Sequence, residues 1–155
     1  MKRKNLQAKD LNLTFTRELS NLKIVYEKGW TNSMNKYEAE FSNLVRSFRK
    51  KHMGKGPSKI STTFCKNWAI CEMEGNLSPI EKFIASAEEG KQMLRAARTE
   101  MVKDMYRKNP PKEMEDFLGC KFLELFVDID IERDFGMSIF VFDEDIEKKF
   151  SQLNK

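Results

Sequence analysis

Helix-stopping and helix-starting signals recur along this chain in a fixed order, and they leave room for few architectures. Gly54-Lys55-Gly56-Pro57 closes a basic helical stretch and opens a strand. Leu77-Ser78-Pro79-Ile80-Glu81 closes the next strand and opens a second helix. Gly90 separates that helix from a longer one carrying Arg95 and Arg98, and two apolar strands come next, ending at Phe142-Asp143. None of these segments is a catalytic signature, so they speak to architecture before chemistry.

Over residues 36–52, Tyr37, Phe41, Leu44, Val45 and Phe48 recur at the helical period. Arg46, Arg49, Lys50 and Lys51 crowd the last turns, where cations complement the helix dipole. Ile60 to Lys66 and Trp68 to Glu74 read as a hairpin turning near Asn67. Ser78 as N-cap, Pro79 at the first helical position and Glu81 two residues on form a capping box. That helix is expected to run to about Glu88. A longer one is expected from Lys91 to Arg107, with Leu94, Ala97, Met101 and Met105 on its stripe, until Pro110-Pro111 stops it. A short helix over Lys112 to Leu118 leads to Gly119.

Lys121 to Glu132 is the clearest strand. Period-two alternation puts Leu123, Leu125, Val127, Ile129 and Ile131 on one face and Phe122, Glu124, Phe126, Asp128 and Asp130 on the other. Met137 to Phe142 returns as its hairpin partner, and Asp143-Glu144-Asp145 opens a last helix to about Gln152. The order α-β-β-α-α-α-β-β-α predicts an α+β fold: a four-stranded, mainly antiparallel sheet of two hairpins with helices packed on one face. Residues 1–35 read as an N-terminal extension, in which Leu11, Leu13 and Phe15 alternate as in a strand and Leu19 to Tyr26 suits a helix as well. Residues 36–155 read as a single domain.

On this reading Phe122, Phe126, Phe140 and Phe142 share one sheet face, which a solvated surface would rarely carry. The first helix, the N-terminal extension or a second subunit must cover them. They are therefore the expected oligomer or partner surface, and a homodimer is the expected state.

Composition narrows the class. The 155 residues suffice for one domain with a real core, and 34% charged residues give an ordinary soluble surface. No apolar run approaches the roughly 18–20 residues of a spanning helix, and no apolar segment comes after the basic Met1-Lys2-Arg3-Lys4 to make a secretory signal. Cys65, Cys71 and Cys120 are an odd set without zinc-ligand spacing and read as free thiols in a cytoplasm. Residues 1–59 hold 14 Lys and Arg against 5 Asp and Glu; residues 60–155 hold 14 against 19. The basic third implies an anionic partner: lipid headgroups, nucleic acid or an acidic protein surface. The aromatics there fall on the apolar stripe instead of interleaving with cations, which disfavours nucleic acid.

The candidate chemistry is a small-anion site. Gly54 and Gly56 leave backbone amides approachable and Lys55 adds charge, yet the spacing is not that of a phosphate-binding Walker loop. The plainer reading is a helix stop. Arg95 and Arg98 share a helix face and suit forked hydrogen bonds to a carboxylate, bicarbonate or phosphate, or else ion pairs with neighbouring glutamates. Asp128 and Asp130 share a strand face and supply the base if the chain is instead a small enzyme acting on an anionic substrate. The plainer reading is a strand end in solvent. His52, the only histidine, suits a helix-capping donor. No catalytic set, metal site or cofactor is expected.

The string Gly54-Lys55-Gly56-Pro57, Glu74 through Glu81, Gly90, Arg98 and Ile139-Phe140-Val141-Phe142 resembles the MpsC-like family, over about Asn35 to Phe142. Ser78 stands where threonine is expected, a change that keeps the capping logic. The resemblance implies a bacterial accessory or regulatory component of a sodium-translocating, membrane-potential-generating system, linked to sodium movement or bicarbonate uptake. It also implies a cytoplasmic protein, peripheral to the inner face of the membrane, beside a membrane transporter subunit.

Overall fold

The computed structural model describes residues 34–153; the strand and helix readings at Leu11 to Tyr26 lie outside them. Helix α1 (Met34–Met53) precedes a hairpin of β1 (Lys59–Cys65) and β2 (Trp68–Glu74). Three helices come next, α2 (Pro79–Ile84), α3 (Glu88–Lys108) and α4 (Lys112–Leu118). The second hairpin is β3 (Phe122–Asp130) and β4 (Phe135–Phe142), and α5 (Ile146–Gln152) closes the described chain. The strands form one antiparallel sheet in the order β1-β2-β4-β3, so the hairpins meet through β2 and β4.

Local chemistry sets the element ends. At Gly54 the backbone turns left-handed (φ 78°) and its N–H closes α1 on the Lys50 carbonyl at 3.0 Å. The capping box is complete: Ser78 Oγ accepts from the Glu81 N–H, and Glu81 Oε2 accepts from the Ser78 N–H at 2.7 Å. Helix α2 stops at Ile84, earlier than expected, and α3 begins at Glu88.

The helices pack on one sheet face. Phe41 of α1, fully buried, meets Phe64, Phe140 and Phe142 edge-on at ring separations of 5.5–6.1 Å. Tyr106 of α3 stacks on Phe48 and stands edge-on to Phe140. Phe150 of α5 reaches Phe64. The buried stripe of α3 is Leu94, Arg98, Val102, Met105 and Tyr106, whereas Ala97 and Met101 are exposed. The stripe is thus displaced by a residue from the expected one, around an arginine that the apolar pattern skips.

A β-bulge reorganises the phenylalanines. Phe122 pairs with Phe142 but Glu124 pairs with Val141, leaving Leu123 as an extra residue. Phe122 therefore falls on the helix-covered face with Leu125, Phe140 and Phe142, while Phe126 remains on the other, opposite Ile139. The four rings do not share a face. Phe140 and Phe142 are fully buried within the chain, under α1. The opposite sheet face carries Trp68, Ile70, Phe126, Met137, Ile139 and Val141. Trp68 and Phe126 are 44% and 53% exposed.

Candidate functional site

The signals scattered through the sequence converge on the loop between β2 and α2. Lys55 donates to the Leu77 carbonyl at 2.6 Å. Arg98 reaches the same loop from α3, with Nη1 2.7 Å from Glu81 Oε1 and Nη2 3.2 Å from the Asn76 carbonyl. From the β3–β4 turn, Asp134 Oδ1 accepts from the N–H groups of Asn76 and Leu77 at 2.7 and 3.0 Å. A Cβ on Gly90 would collide with the Ile84 carbonyl, so only glycine lets α3 start this close to the end of α2.

Of the expected anion ligands, Lys55 and Arg98 meet here, both engaged with protein oxygens. Gly54 and Gly56 sit at the end of α1, and a Cβ on Gly56 would press on the Arg46 carbonyl at 2.8 Å. Arg95 lies elsewhere, on the exposed side of α3, in a forked pair with Asp128: Nε to Oδ1 3.0 Å and Nη2 to Oδ2 2.6 Å. A shallow groove of about 490 Å³ runs here beside β3, and its Lys91 is paired in turn with Glu132 and Glu88.

Electrostatics separate these groups. Burial pushes the Glu81 carboxyl up, but the Ser78 N–H and the Arg98 guanidinium outweigh it and hold it below its ordinary value. The Arg95 hydrogen bonds hold Asp128 below the usual carboxylate range, which weakens it as a general base near neutrality. Cys71 is fully buried, and desolvation pushes its thiol up to about 12. His52 is exposed at the end of α1, against the Phe48 ring. Among the described residues, no group of three or more His, Cys, Asp or Glu is placed to hold a metal ion.

One buried cation escapes sequence reasoning. Arg49 belongs to the basic run that closes α1, yet it is 4% exposed and donates from Nη2 to Ser138 Oγ at 2.8 Å. Ser138 continues the cross-sheet row of small polar side chains that Thr62 and Cys71 begin, capped by Ser42 at 2.7 Å from Thr62 Oγ1. A serine at an inward position of an otherwise aromatic strand is the one signal that points to it.

The family described as "Na+-translocating membrane potential-generating system (MpsC)" matches residues 33–144. YrhF of Bacillus subtilis (strain 168), an uncharacterized protein, is 44% identical over 116 residues, covering 75% of this chain and 95% of YrhF. YbcI of the same organism, likewise uncharacterized, is 26% identical over 70 residues, covering 45% of this chain and 56% of YbcI. No solved structure matches. The family match spans the sheet and most of its helices, and on that ground the chain belongs to the MpsC family.

Proposed function

We propose that this protein is a non-enzymatic accessory or regulatory component of a membrane-potential-generating system that moves sodium or takes up bicarbonate. It works as a homodimer beside a membrane transporter subunit, at the inner face of the membrane, with residues 36–155 as the working domain. The family description supplies the context. No helix among the described residues is long and apolar enough to cross a membrane, so this region acts on an ion path through a partner. The three free cysteines fit a reducing compartment.

The observation that carries the reading is the sheet face that no described helix covers. Its rows grade from apolar to charged: Cys65, Trp68, Val141 and Glu124 lie side by side, then Thr63, Ile70, Ile139 and Phe126, then the mixed row Ser61, Glu72, Met137 and Asp128, and Lys59, Glu74, Phe135 and Asp130 form a charged end. A second copy related by a two-fold axis along the strands sets each apolar row on itself and brings Lys59 opposite the other copy's Asp130. An axis across the strands sets Asp130 against Glu124, like on like. Light scattering behind size-exclusion chromatography is the test: the expected mass is that of two chains, falling to one in Ile139→Glu. A monomeric wild type, or failure to co-purify with a multi-spanning membrane subunit at low and moderate salt, overturns the reading.

A further inference from the structure

We propose that a small cavity between α1, α3 and the sheet is a binding site for one inorganic monoanion of halide size, chloride being the natural occupant. The proposal goes beyond the accessory role and stands on its own geometry. The cavity measures about 10 Å³, room for one water-sized group, and Arg49, Arg98, Asn76, Met73, Ile129 and Gly136 line it. Gly136 lies on the inner face of β4, where a Cβ would reach to 3.3 Å from Asn76 Nδ2. The missing side chain keeps the space open.

The charges around the space do not balance. Arg98 is paired with Glu81, and Asp128, which also lines the cavity, is paired with Arg95. Among the described residues Arg49 has no carboxylate within ion-pair distance, and its side-chain partner is the neutral Ser138 hydroxyl. Arg49 Nε is buried and has no hydrogen-bond partner among them. A guanidinium removed from water needs an opposite charge and full hydrogen bonding. Among the described residues the site carries one unmatched positive charge and one unused charged donor, with space for a single atom. A monatomic anion satisfies both; a multi-atom oxyanion exceeds the room.

The test uses the full chain purified in sodium gluconate. Chloride or bromide is titrated in at constant ionic strength while thermal unfolding is followed. Binding to the native state predicts a rise that grows with the logarithm of halide concentration, about 3–5 °C once halide reaches roughly five times its Kd. Two variants read the site separately: Arg49→Met removes the charge, and Gly136→Ala fills the space with both arginines intact. Both are expected to lose the halide-dependent rise. Crystals grown in bromide are expected to give an anomalous peak within hydrogen-bonding distance of Arg49 Nε. No rise over gluconate, the same rise in both variants, or no bromide beside Arg49 overturns the proposal.

Discussion

Arg98 and Glu81 meet at 2.7 Å across the junction of α2 and α3, with 8% and 19% of their side chains exposed. The same carboxylate caps α2 through the Ser78 N–H, and the same guanidinium holds the Asn76 carbonyl. One pair thus ties a helix start, a strand end and a long helix together. Removing one partner of a pair this enclosed costs about 3 kcal/mol, so Arg98→Met is expected to lose about that much in urea unfolding. Arg98→Met, Glu81→Gln and the double variant, taken as a cycle, should show strong coupling; additive losses would refute the tie.

The pair also gives stability a pH dependence of known sign. Glu81 is held below its ordinary value in the folded chain. Its contribution is fully present above the unfolded glutamate value and is lost as pH falls through the lowered folded value. The urea midpoint should therefore fall more steeply on acidification in wild type than in Glu81→Gln. Parallel curves would show that the carboxylate does not couple to folding.

Capping predicts a graded series at Ser78. Its hydroxyl accepts from the Glu81 N–H at 3.3 Å. Ser78→Ala should cost about 1 kcal/mol, while Ser78→Thr should stay within a few tenths. Equal losses in thermal unfolding would mean that the hydroxyl is not the cause.

The phenylalanines should divide by face. Phe140→Ala opens a cavity in the aromatic core and is expected to cost about 3–5 kcal/mol. Phe126→Ser, on the open face, should change unfolding by under about 1 kcal/mol at concentrations where the chain is monomeric. The reverse ranking in denaturant titrations would place the bulge elsewhere.

The thiols should differ in reactivity. Cys71 is fully buried with its thiol pushed up to about 12, Cys120 is buried and pushed up to about 11, and Cys65 is half-buried on the open face. A disulfide-exchange reagent at pH 8 should modify Cys65 first and Cys71 only on unfolding. Fast labelling of Cys71 in the native chain would contradict its placement.

Much of the fold is legible in the sequence because its signals are local. The capping box, the turn at Asn67 and the proline stop after α3 each depend on residues within a few positions, and the element order rests on them. The bulge at Leu123 is not legible, since period-two reading assumes one residue per register step, and a single extra residue separates Phe122 from the face its alternation predicts. Arg98 is legible as notable but not as buried, because its partners lie 17 and 22 residues away. Arg49 is hidden among solvent-facing cations, and its burial rests on Ser138, 89 residues on.

The strand order has a kinetic consequence. Each hairpin joins neighbours in sequence, and its turn is able to close within microseconds. The seam between β2 and β4 is different: it joins residues roughly sixty to seventy positions apart, from Glu74 with Phe135 to Trp68 with Val141. Closing that seam is therefore expected to limit refolding, and in stopped-flow refolding substitutions at Ala69 or Ser138 should slow the rate more than substitutions in either turn.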